Sequence, residues 1–179
     1  SADASRVASK LDIPYYVLDY TECFSKNVVD NFTQMYAQGL TPNPCVECNR
    51  SVKFDHFINQ AKKLNCDKVA TGHYAKIIKN NDKYELHKAD YLDKDQSYVL
   101  HMLQSSDLEN ITFPRGEISK PEVRQISARL GLRTAFKKDS QDICFVGKKD
   151  YRSFVEKRID LTSPGEIFDT KGNKVGDHN

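Results

Sequence analysis

Residues 67–78 read DKVATGHYAKII, an apolar run that stops at a Gly-His pair and then resumes. Val69, Ile77 and Ile78 favour an extended chain, and the run is short for a helix, so it predicts a strand broken at Gly72. KNND (79–82) then supplies a turn into a second strand, KYELHKA. In open α/β sheets, ligands settle just beyond the ends of strands, and Gly72 would let a phosphate or sugar come close to the backbone. Taken alone, the same pair also reads as a turn followed by a surface histidine.

Upstream, Phe54, Phe57, Ile58, Ala61 and Leu64 share one helical stripe. Before them, TPNPCVECN (41–49) has two prolines and two asparagines in nine residues and predicts a loop. Phe24, Val28, Phe32 and Met35 or Tyr36 recur at helical spacing, with Gly39 placed to end that helix. IPYYVLDY (13–20) reads as a short buried strand, and SRVASKL before it as a helix with Val7 and Leu11 on one face.

Downstream, DQSYVLHML (95–103) reads as a short helix with Asp95 as its cap. ISKPEVRQISARLGL (118–132) carries a strong start signal: Ser119 as N-cap, Pro121 in the first turn, Glu122 three residues after the cap, and Gly131 at the end. Helices alternating with short apolar strands predict an α/β domain with a mainly parallel sheet. YRSFVEKRI (151–159) follows as a linking helix. PGEIFDTKGNKVGDHN (164–179) has the turn residues of a hairpin beginning a small second domain.

The chain has 179 residues, room for one domain and part of another, and carries a net charge of +2. That balance selects no partner unless the cations cluster, as Lys137, Lys138, Lys148, Lys149, Arg152, Lys157 and Arg158 do in the sequence. No apolar stretch approaches the roughly 18 residues of a membrane span, and SADASRVASK has no apolar signal core. Five cysteines, an odd number without a secretory signal, argue against a disulfide scaffold and for metal or thiol chemistry.

Cys45 and Cys48, three apart beside the prolines, carry the sharpest chemical signal. The pair suits redox exchange, a metal, or nucleophilic sulfur chemistry. Asn49-Arg50-Ser51 can open the next helix, whose N-terminus would partly stabilise a thiolate. Zinc would call for a fourth close ligand that the spacing does not supply, whereas three cysteines and a non-protein ligand suit an iron–sulfur cluster. Cys144, between Ile143 and Phe145, reads by itself as a buried strand cysteine, and Cys23 and Cys66 as packing residues.

Five segments in order, TPNPCVECNRSVKF, ATGHYAKI, KDQSYVL, FPRGEISKPEVRQISARLGL and KDSQDICFVG, resemble the tRNA-specific 2-thiouridylase family. The resemblance covers nearly all of residues 1–175. It implies a doubly wound, adenine nucleotide alpha hydrolase-like fold of the PP-loop ATPase type. Residues 1–146 would be the later part of the catalytic domain and 147–179 the start of a linking domain.

By the same resemblance, Cys48 is the first catalytic thiol and Cys144 carries a persulfide sulfur, the two passing through a disulfide. Asn43, Pro44 and Cys45 match the segment that grips the target base. Gly72 matches an ATP contact, His73 a tRNA contact, and Lys94, Asp95 and Gln96 a further tRNA contact. Some members have aspartate at the position of Cys45. The cysteine here makes a 4Fe–4S cluster on Cys45, Cys48 and Cys144 the rival to the persulfide route.

The implied reaction is cytoplasmic 2-thiolation of a wobble uridine, with ATP and Mg2+, in tRNAs of the lysine, glutamate and glutamine type. An upstream sulfur carrier or cysteine desulfurase supplies the sulfur. A metal-stabilised RNA-binding module is the non-enzyme alternative. The family's Ser-Gly-Gly-Val-Asp-Ser loop for the ATP pyrophosphate is not among these residues, nor is its later barrel, so this stretch alone is expected to bind ATP poorly and not to turn over.

Overall fold

The computed structural model describes residues 2–137, 139, 142–147, 150–159 and 164–178. Its first helix, Ala2–Leu11, ends where Asp12 takes a positive φ of 52°. Residues 13–20 are then irregular, and Val17 is 72% and Tyr16 65% exposed. This corrects the expected buried strand. A strand needs a partner for its N–H and C=O groups, and none of the described strands pairs with this segment.

A continuous helical run follows from Thr21–Phe24 through Ser25–Asp30 to Asn31–Ala37, and its middle segment is wound as a π-helix. Val28 and Phe32 face inward, each 1% exposed. Gly39, at φ +74°, closes the run as its spacing predicts, with the Leu40 N–H donating to the Met35 carbonyl at 2.9 Å.

The next run begins earlier than the proline content suggests. Pro44–Glu47 is already helical and continues through the π-wound Cys48–Phe54 into Asp55–Lys63. Asn43 is the N-cap, its Oδ1 accepting from the Cys45 N–H at 3.1 Å. TPNPCVECN is therefore loop only as far as Asn43. Proline at the first helical position loses no needed N–H, and asparagine is among the best caps, so Asn43-Pro44 opens a helix.

The predicted break at Gly72 separates β1 (Val69–Ala70) from β2 (Ala75–Asn80), which pairs antiparallel with β3 (Lys83–Lys88) across the turn at Asn81. β1 pairs in parallel with β4 (Ile111–Thr112), Val69 opposite Ile111. This pair is the parallel element of the α/β arrangement among the described residues. The helix stripe of Phe54, Ile58 and Ala61 packs onto it with Val69, Ala75, Val99, Leu100, Ile111 and Phe113. Each such large side chain contributes roughly 1.5–3 kcal/mol by leaving water. Leu64, predicted on the stripe, is 44% exposed.

DQSYVLHML does not form its expected helix beyond a 3-10 turn at Ser97–Val99. The Asp95 carboxylate does accept from the Ser97 N–H and hydroxyl, but it also holds the Ala89 N–H, which fixes the segment to the end of β3. The helix Lys120–Arg129 starts as predicted, with a reciprocal Ser119–Glu122 cap, and ends at Gly131 with φ +62°. Helix Tyr151–Glu156 packs through Phe154 against Phe32 and Phe145, and β5 (Gly165–Phe168) and β6 (Lys174–His178) make the expected terminal hairpin.

Candidate active site

Cys45 and Cys48 occupy the first turns of the capped helix, not the predicted loop; Cys45 is exposed and Cys48 partly buried. Cys144 lies in a turn and is exposed, which corrects the reading as a buried strand cysteine. The adjacent Phe145 places it, packing edge-on to Phe24 at 5.6 Å and Phe32 at 5.3 Å between ring centroids. Those rings belong to the helical run that also faces Cys48.

Burial pushes the Cys48 thiol above its ordinary pKa, Lys53 opposes this, and the neighbouring thiols Cys144, Cys45 and Cys23 add to the rise. Thiolate stabilisation by a helix opening at Asn49, expected from the sequence, does not arise, because the helix starts at Pro44 and Cys48 lies past its first turn. Cys23 is more than packing: its sulfur accepts from the Asn27 amide at 3.2 Å and donates to the Ser51 carbonyl at 3.9 Å. Cys66, also assigned to packing, is exposed. A pocket of about 250 Å3 beside the pair is lined by Asn43 and Pro44 together with Val28, Phe32, Met35 and Val46.

The second group of predicted residues converges on a polar cleft of about 500 Å3 that includes Gly72, Lys94, Asp95, Gln96, Arg115 and Lys120. Gln96 joins the two sequence segments: its side-chain oxygen accepts from the Tyr74 N–H at 3.1 Å, while its own N–H donates to the Tyr74 carbonyl at 2.8 Å. Lys94 and Lys120 share Asp139, at 3.4 and 2.7 Å. His73 is not on the surface. It is 8% exposed between Phe54 and Phe113, with Nδ1 2.8 Å from the Thr71 hydroxyl. Burial, then Lys53 and Arg115, lower its pKa to about 4, so the imidazole is neutral at pH 7.

The Lys53 ammonium holds down the pKa of both Cys48 and His73. Sequence reasoning passed over it and Arg115, although both lie inside quoted segments; nothing local separates them from ordinary surface cations. Asn49 was missed too: it is 2% exposed and its amide donates to the Val99 carbonyl at 3.1 Å, tying the helix after Cys48 to the core.

The expected basic face is partly neutralised. Lys137 pairs with Asp3 at 2.8 Å, Arg152 with Glu156 at 3.0 Å, and Arg158 stacks on Phe154 at 3.7 Å. Lys138, Lys148 and Lys149 lie outside the described residues. Among the described residues, no three or more His, Cys, Asp and Glu side chains are grouped to hold a metal ion, so Cys45, Cys48 and Cys144 do not form a ready ligand set. No described helix is long and apolar enough to cross a membrane.

A parallel pair backed by helices, with a glycine and a polar cleft just past the end of a strand, is an α/β arrangement, and the family comparison places it in the HUP, PP-loop ATPase type. The family model described as tRNA methyl transferase HUP domain matches residues 1–148, and the chain belongs to this family, that of the tRNA-specific 2-thiouridylases. It is 47% identical over 182 residues to the tRNA-specific 2-thiouridylase MnmA of Chloroflexus aurantiacus, covering 99% of this chain and 50% of that protein. It is 46% identical to the proteins of the same name from Leptospira interrogans and Rickettsia peacockii, covering 98% of this chain in each case and 47% and 48% of those proteins. The chain thus spans about half the length of the curated relatives it matches.

Proposed function

We propose that this chain is part of a cytoplasmic tRNA-uridine 2-sulfurtransferase and supplies its two catalytic thiols, Cys48 and Cys144. The observation that carries the reading is that Phe145, next to Cys144, packs edge-on to Phe24 and Phe32, in the helical run whose Cys23 donates to the Ser51 carbonyl three residues past Cys48. Residues 1–146 would belong to the catalytic domain and 147–179 to the start of a linking domain. Asn43 and Pro44, which line the small pocket, and the exposed Cys45 next to them would hold the everted uracil.

ATP, bound with Mg2+ near Gly72, would convert the C2 oxygen of the wobble uridine into an adenylate leaving group. Gly72 suits a close-lying phosphate: it is exposed, lines the polar cleft, and has a guanidinium nitrogen only 3.1 Å from where a Cβ would stand. His73, neutral and buried, would orient that segment, and Lys94, Asp95 and Gln96 would meet the tRNA.

A sulfur carrier or cysteine desulfurase loads Cys144 as a persulfide. The Cys48 thiolate attacks the inner sulfur, forming the Cys48–Cys144 disulfide and expelling hydrosulfide, which adds at C2 and displaces AMP. A thiol reductant then reopens the disulfide. The high pKa of Cys48 keeps most of it as the thiol until pH rises, and a thiolate of high pKa is the stronger nucleophile. Lysine, glutamate and glutamine tRNAs are the proposed substrates.

The test uses a protein of the relatives' full length that carries this segment. Cys48→Ala or Cys144→Ala is expected to abolish thiolation of a tRNA anticodon transcript and to leave adenylation intact, with no dependence on added iron. Thiolation near the unsubstituted level in either variant would overturn the assignment, and a requirement for iron would favour the cluster route.

A further inference from the structure

We infer that Arg115 is a phosphate-gripping residue of the cleft between Gly72 and the Lys94–Gln96 segment, and the inference rests on the nucleotide and tRNA reading above. Arg115 follows β4, in the FPRG turn, and its guanidinium lies 4.0 Å above the ring of Tyr74. Tyr74 is itself 3% exposed and is held by both hydrogen bonds to Gln96, so the stack gives the cation a fixed floor. One guanidinium nitrogen reaches 3.1 Å from the position a Cβ would take on Gly72. Its Nε is buried and has no acceptor among the described residues.

Among the described residues, ion pairing within the cleft leaves Arg115 over. Lys94 and Lys120 divide Asp139 between them. Asp95 is spent on the Ala89 and Ser97 N–H groups and the Ser97 hydroxyl. The formal charges of the lining residues balance, with Asp93 as the remaining acid, yet no described carboxylate pairs with Arg115. A stacked, half-buried guanidinium with no carboxylate partner among the described residues is matched by a pair of anionic oxygens, which a phosphate presents. It stands beside Gly72 on one side and Lys94 and Gln96 on the other. The phosphate therefore has two sources, a nucleotide or an RNA backbone.

In a protein of the relatives' full length that carries this segment, Arg115→Gln, which keeps the stem on Tyr74, and Arg115→Ala are to be compared with the unsubstituted form, using binding of an anticodon-stem RNA across a salt series, and ATP and pyrophosphate as separate probes. Thermal unfolding checks that both variants are folded. If the phosphate belongs to RNA, both variants lose about tenfold in RNA affinity and the salt slope falls by about 1. If it belongs to the nucleotide, the same loss appears with ATP and pyrophosphate and the RNA curve stays put. Either result supports the inference. Folded variants that bind every probe as the parent does would overturn it while sparing the tRNA reading. An unsubstituted full-length protein that takes up none of the probes would overturn both.

Discussion

At the scale of single residues, environment sets chemistry that residue type leaves open. His73 could serve as a surface cation or a buried neutral ring, and its place between Phe54 and Phe113 selects the second. Its folded-state pKa of about 4 lies below the ordinary 6.5, so the unfolded chain takes up the proton first. Stability from this group is full above pH 6.5, falls as the pH drops toward 4, and loses nothing further below that; the whole effect is at most roughly 3 kcal/mol. Denaturant midpoints measured from pH 8 to pH 4.5 should therefore fall less steeply in His73→Gln than in the parent. Parallel curves would mean that the ring protonates freely in the folded chain. Cys48 shows the same lesson with the opposite shift: burial, with the neighbouring thiols adding to it, pushes its pKa up although Lys53 opposes this.

At the scale of elements, helix starts are the best-read features because their signals are contiguous. Ser119, Pro121 and Glu122 specify the helix at Lys120–Arg129, where the Ser119 N–H donates to the Glu122 carboxylate at 2.9 Å. The same hydroxyl and N–H hold the Glu122 carboxyl below its usual range. Ser119→Ala should cost about 1 kcal/mol and lower Tm by about 2–4 °C, read by calorimetry. An unchanged Tm would show that the box adds nothing to the folded state. The failures at this scale share a cause. Residues 13–20 have strand composition but no described partner strand, and DQSYVLHML has helix periodicity but is held at Asp95 by bonds to Ala89 and Ser97. The early helix at Pro44 was legible in principle from Asn43-Pro44 and was hidden by counting prolines without their position.

At the scale of the whole molecule, the candidate site depends on Phe145, whose ring is set among Phe24, Phe32 and Phe154 and carries Cys144 with it. Phe145→Ala should cost about 2–3 kcal/mol, speed alkylation of Cys144 and slow Cys48–Cys144 disulfide formation under mild oxidation, as followed by peptide mapping. Disulfide formation at the parental rate would show that this ring does not hold the thiols together. Local order along the chain, meaning the caps at Ser119 and Gly39, the break at Gly72 and the closing hairpin, could be read from residues alone, because neighbours a few positions apart dictate backbone geometry. The packing of Phe145 that carries Cys144 toward the helical run beside Cys48, the burial of His73 and the stack of Arg115 on Tyr74 could not. Each arises from side chains distant in sequence that share one desolvated space, and that proximity exists only after the core has packed.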